Sequence, residues 1–139
     1  MRSQNNPLEY LKDKKIAVLA GGPSNEREIS FKSAENVYQA LTEQSFNAFI
    51  LDVSDKAFFD TSFDIGFNCV HGKWGEDGCL QGYLEMKGVP YTGSGVMATS
   101  VGLNKPIFKT LIEASGIQTA AQVNPSNGWS TAFVAKPLS

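Results

Sequence analysis

The chain has 139 residues, 42% of them hydrophobic and 11% aromatic, enough for a domain with a real core and no disulfide staples. A formal net charge of −2 gives no basic footprint for nucleic acid, and no apolar run nears the ~20 residues of a membrane helix. The opening MRSQNNPLEYLKDKK lacks the apolar core of a secretory signal, so a cytoplasmic protein is the default expectation.

Residues 1–13 read as a flexible segment, in which Leu8, Tyr10 and Leu11 could dock one short helical turn. Ile16–Ala20 (IAVLA), bounded by lysines and by Gly21-Gly22, has the pattern of a central parallel strand buried on both faces. A glycine-led loop, GGPSNEREIS, follows. Ser30 is the expected N-cap of a helix over about Phe31–Glu43, whose Ala34, Val37, Tyr38 and Leu41 share one face. Phe46–Val53 reads as a second strand, which completes a β–loop–α–β crossover. Ala57–Asp60 suits a helical turn, and Asp64–Val70 a third strand.

HGKWGEDG (His71–Gly78) comes next, with the only histidine and a glycine at every third position. Asp77 is the expected N-cap of a helix carrying Leu80, Tyr83 and Leu84 and closed by Gly88. Val89–Thr92 reads as a short fourth strand, with Pro90 placing it at an edge or a strand start. Val96–Leu103 reads as a short helix. Pro106 opens another, with Ile107, Phe108, Leu111 and Ile112 as an apolar stripe and Gly116 as its stop. Gln118–Val123 and Thr131–Lys136 read as strands around the turn NPSNGWS. The last strand ends with nothing to pair or cover it, the pattern of an incomplete domain.

Each motif has a plain structural reading beside a functional one. The loop after the first strand can present N–H groups to an anion, yet it is not G-x-G-x-x-G and does not match a dinucleotide fingerprint. Glu26 could hold a substrate ammonium, or be one charge on a solvated loop. His71 lies just past a buried strand, where open α/β sheets bind ligands, although a lone histidine is more often structural. Glu76 and Asp77 could complement a helix N-terminal dipole. Lys105 and Lys136 could serve as phosphate point charges, or be solvated surface lysines. Cys69, Cys79 and His71 lack a standard zinc spacing, and two reduced packing cysteines explain the pair.

Jointly, KIAVLAGGPSNEREIS, then CVHGKWGEDGCLQGYLEMKGVPYTGSGVMATSVGLNK, then the strand ending VAKP resemble the D-alanine–D-alanine ligases, with order and spacing kept over residues 14–139. The resemblance implies an α/β, Rossmann-like parallel sheet over residues 14–103, the pre-ATP-grasp domain. The beginning of an α+β ATP-grasp domain, incomplete, follows over 104–139. It implies ligation of two D-alanines for peptidoglycan synthesis: ATP phosphorylates one carboxylate, and the second amine attacks the acyl phosphate. Magnesium assists, and the enzyme is a homodimer. By position, Glu26 would bind the ammonium of the first D-alanine, with His71 beside the same subsite. Lys105 and Lys136 would contact ATP phosphates. Asn104 stands where the family is expected to carry aspartate.

The resemblance also implies parts with no match in these 139 residues: a serine- and glycine-rich phosphate loop, a loop over the substrates, an arginine for the tetrahedral intermediate, and the magnesium-binding carboxylates. The chain alone is therefore expected to lack ligase activity. Two competing expectations are a non-catalytic binding or assembly module derived from the ligase, and a D-alanine–D-lactate or D-alanine–D-serine ligase.

Overall fold

A computed structural model describes residues 7–120. Pro7–Lys12 forms helix α1, inside the segment expected to be flexible. Ile16–Ala20 forms β1, and every residue of it is buried. Arg27–Glu43 forms α2, Ala48–Asp52 β2, Ala57–Asp60 the single turn α3, and Ile65–Asn68 β3. Cys79–Met86, Val96–Leu103 and Lys105–Ala114 form α4, α5 and α6.

The sheet is parallel, with strand order β2-β1-β3. The α/β class and the parallel sheet are those expected. Because β1 is central, alternate side chains of its five apolar residues enter two different cores. Ala17 and Leu19 join Leu51, Val53, Phe58, Val70, Leu80 and Leu84 on the face covered by α4. Val18 and Ala20 join Ala34 and Cys69 on the other face, beneath Val37, Tyr38 and Leu41 of α2. A fully buried Val or Leu contributes roughly 1.5–3 kcal/mol relative to exposure, so β1 and its two coverings hold the domain together.

Several local expectations are corrected. Helix α2 starts at Arg27, before the expected N-cap, and Ser30 lies inside it, fully buried. Its hydroxyl is used for tertiary bonds: Oγ accepts from the Gly21 N–H at 2.9 Å and donates to the Cys69 carbonyl at 2.8 Å. The expected fourth strand is reduced to one parallel bridge between Gly66 and Tyr91. The Gly66 N–H donates to the Pro90 carbonyl there, and the Thr92 N–H to Gly66. Pro90 has no N–H to extend the ladder. Residues 118–120 are not in a strand, and the rest of Gln118–Val123, with Thr131–Lys136, lies outside the described residues.

Helix ends follow the local chemistry. Gly88 has φ +66° just past α4, as a left-handed C′ residue requires. Gly78, not Asp77, takes the N-cap of α4. The Asp77 carboxylate still caps from one residue further out, accepting from the Trp74 N–H at 2.9 Å and the Cys79 N–H at 3.0 Å. Burial opposes ionisation of Asp77, but these bonds outweigh it and lower its pKa. Asn104 Oδ1 accepts from the Ile107 N–H at 3.2 Å. Asparagine therefore performs the capping that the expected aspartate would perform. The apolar stripe of α6 is present, but Ile107, Phe108 and Leu111 are exposed among the described residues.

Candidate functional site

The strand order places the loops after β1 and β3 side by side at the carboxyl edge of the sheet. The chain leaves β1 to one side, toward β2, and later returns on the other side as β3. That reversal opens a crevice at the strand ends, where ligands bind in open α/β sheets.

The two loops meet through Glu26, Ser24 and the His71–Gly72 turn. Ser24 Oγ donates to the His71 carbonyl at 2.8 Å. The Glu26 N–H donates to the same Oγ at 3.1 Å. Gly72 has φ +69°, and a Cβ there would lie 3.1 Å from both Glu26 Oε2 and Ser24 Oγ. Glycine is thus needed for the backbone conformation and for the close approach of the Glu26 carboxylate. Glu26 is the residue preceding α2 and is exposed, so its carboxylate stands at the crevice rather than in the core.

His71 is fixed from two sides. Nε2 is 3.2 Å from Ser33 Oγ on α2, and Nδ1 is 3.6 Å from Glu76 Oε1. The second contact is an ion pair only when the imidazole is protonated. Glu76 therefore faces His71, whereas Asp77 serves the α4 terminus. The turn itself is rigidly built. A Cβ on Gly75 would fall within 2.6 Å of the Val70 carbonyl carbon and Cβ, so only glycine fits. The Gly75 carbonyl accepts from Asn68 Nδ2 at 3.1 Å and Gln81 Nε2 at 2.7 Å. Trp74 holds φ +75°, a conformation that costs a non-glycine residue energy.

Glu76 also lines an open cleft of about 490 Å³ that reaches Asn68, Gln81, Ser94, Thr99 and Lys105. Lys105, the first residue of α6, lines this cleft, whereas Glu26 and His71 do not; Glu76, which faces His71, is the residue common to the two regions. Lys136 lies outside the described residues. Cys69 is buried and Cys79 exposed, both as free thiols. Burial pushes the Cys69 thiol up, away from thiolate chemistry. Among the described residues no group of three His, Cys, Asp or Glu is placed to hold a metal ion.

The structure adds residues that sequence reasoning missed. Arg27 donates to Asp52 Oδ1 at 3.1 Å and pairs with Oδ2 as well, tying the start of α2 to the end of β2. It also reaches Ser54 Oγ at 2.6 Å and stacks 5.0 Å from the Phe31 ring. Burial works against ionisation of Asp52, but hydrogen bonds from Arg27 and Ser54 and the Arg27 charge together lower its pKa to about 2. Ser24 and Ser33 were likewise invisible as partners of His71. Nothing in their spacing announces contacts to a residue in the turn after β3.

The fold and this crevice define a class: a parallel α/β domain whose strand-end edge pairs an acidic loop with a histidine turn. Comparison then narrows the class. The family model described as D-ala D-ala ligase N-terminus matches residues 15–62 and 54–94. The chain belongs to the D-alanine–D-alanine ligase family. It is 42% identical over 116 residues to the D-alanine–D-alanine ligase of Geotalea uraniireducens, across 81% of this chain and 37% of that relative. With the Roseobacter denitrificans ligase it shares 38% identity over 133 residues, 88% of this chain and 42% of the relative. The chain thus spans well under half the length of these curated relatives. Among solved structures, the Bacillus anthracis ligase complexed with ATP superposes with a TM-score of 0.68 at 29% identity, covering 76% of this chain and 38% of that one. The Vibrio cholerae D-alanyl-alanine synthetase A gives 0.67 at 28% identity, covering 81% and 42%. No helix among the described residues is long and apolar enough to cross a membrane.

Proposed function

We propose that this chain supplies the amino-terminal part of an ATP-dependent D-alanine–D-alanine ligase. Residues 14–103 act as the pre-ATP-grasp domain and 104–139 as the beginning of the ATP-grasp domain. Glu26 binds the ammonium of the first D-alanine, and His71 lines the same subsite. Lys105 and Lys136 contact phosphates of ATP. The observation that carries this reading is the packing of the Glu26 loop against the His71–Gly72 turn at the crevice between β1 and β3.

The chemistry follows from these roles. An exposed carboxylate attracts an ammonium group, and fixing that group orients the attached carboxylate. ATP phosphorylates this carboxylate, and the second D-alanine displaces phosphate by attack of its amine. A lysine such as Lys105 offsets the charge of the transferring group. In this reading Glu26 and His71 position the first substrate. The physiological setting of this reading is peptidoglycan precursor synthesis in the cytoplasm, by a homodimer.

Two measurements test it. The 139-residue polypeptide, given D-alanine, ATP and magnesium, should release ADP no faster than a blank. In an active ligase with residues 1–139 as its amino-terminal part, Glu26→Gln and His71→Ala should each weaken use of the first D-alanine. A His71→Ala enzyme with unchanged rate and D-alanine affinity would show that His71 does not line the pocket.

A further inference from the structure

We infer that Ser24 is a positioning residue of the ammonium subsite, whose hydroxyl clasps the Glu26 loop to the His71 turn and sets the spacing between them. The inference rests on the roles given to Glu26 and His71 above. Neither of those residues reaches the other directly through a hydrogen bond of its own side chain. Ser24 bridges them: Oγ accepts from the Glu26 N–H at 3.1 Å and donates to the His71 carbonyl at 2.8 Å. One hydroxyl thus uses its donor and an acceptor at once, and its orientation is determined.

The bond to Glu26 alone would be an ordinary serine turn, spanning two residues. The bond to His71 spans 47 residues and joins two different strand ends, which a local turn does not need. Gly72 reports the same convergence, since a Cβ there would meet Ser24 Oγ and Glu26 Oε2 at equal distance. Ser24 is only half-buried. Without its hydroxyl, water can reach the Glu26 N–H and the His71 carbonyl, so the fold loses little. The fixed distance between the two sides of the subsite is lost instead. Ser24 differs in this from Ser30, whose partners are sealed in the core.

The test uses an active ligase carrying residues 1–139 as its amino-terminal part. Ser24→Ala should raise the KM for the first D-alanine about tenfold, the worth of one well-placed hydrogen bond, with kcat within about twofold. Ser24→Thr, which keeps the hydroxyl, should restore KM. Glu26→Gln is measured alongside. If Glu26→Gln raises KM and Ser24→Ala does not, the clasp is wrong and the subsite stands. If neither raises it, the subsite assignment fails and the clasp with it. A fall in kcat alone for Ser24→Ala would mark a merely structural role and overturn the proposal. In the 139-residue chain, Ser24→Ala should shift the backbone amide signals of Glu26 and Gly72 with the urea midpoint nearly unchanged; unmoved signals would also overturn it.

Discussion

Ser30→Ala should be among the most damaging single-atom deletions in this domain. The side chain is fully buried, and its hydroxyl serves the Gly21 N–H at 2.9 Å and the Cys69 carbonyl at 2.8 Å. Gly21 and Cys69 are buried too, so water does not replace the lost oxygen. Each orphaned backbone group costs about 1–3 kcal/mol. Alanine returns about 0.5 kcal/mol in helix propensity, because position 30 lies inside α2. The net loss is about 3 kcal/mol. Ser33→Ala is the control: it sits on the same helix, but its bond to His71 Nε2 is only part-buried, and its loss should stay under about 1 kcal/mol. Urea unfolding at neutral pH, followed by tryptophan fluorescence, measures both. Equal losses for the two variants, or a loss under about 1 kcal/mol for Ser30→Ala, would refute the claim that Ser30 is a buried tie rather than a helix cap.

Two further predictions concern stability. Asp52, with its carboxyl lowered from 3.8 to about 2, binds its proton less readily folded than unfolded. Its contribution is therefore complete above about pH 4 and is lost as pH falls through 2. It amounts to at most about 2 kcal/mol, reduced by screening because Arg27 is 43% exposed. The stability gap between the wild type and Asp52→Asn should narrow from pH 5 to pH 2 in urea titrations, and a constant gap would contradict the Arg27 pairing. Gly75→Ala should destabilise by roughly 2–3 kcal/mol or prevent folding, since its Cβ meets the backbone of Val70. Gly82→Ala in α4, whose Cβ meets only Val96 Cγ2 at 3.8 Å, should instead gain up to about 1 kcal/mol. Similar midpoints for the two would refute the close-packing account of the turn.

Much of the fold was legible because its signals are local. An apolar run between lysines and glycines announces β1, and the spacing of Ala34, Val37, Tyr38 and Leu41 announces the buried face of α2. Gly88 and Pro106 mark a helix end and a helix start by backbone chemistry alone. Ser30 misled for the same reason: serine before an apolar-periodic run looks like an N-cap, and its two partners lie 9 and 39 residues away. Val89–Thr92 misled because strand-forming residues state a preference, while a ladder also needs donors that Pro90 lacks.

By itself, the sequence determined the class, the order of elements, and the motifs that resemble the ligase family; the family match bears the resemblance out. It also singled out Glu26 and His71 as residue types suited to a polar subsite. Only the tertiary structure brought their two loops into contact. The order β2-β1-β3 carries the Glu26 loop and the His71 turn to neighbouring strand ends. Ser24, Ser33, Glu76 and Gly72 then fix how the two sides meet. A residue's type and spacing specify its own backbone, through propensity and periodicity. Its partner across the sheet is specified by strand order and register, which depend on how the whole core packs.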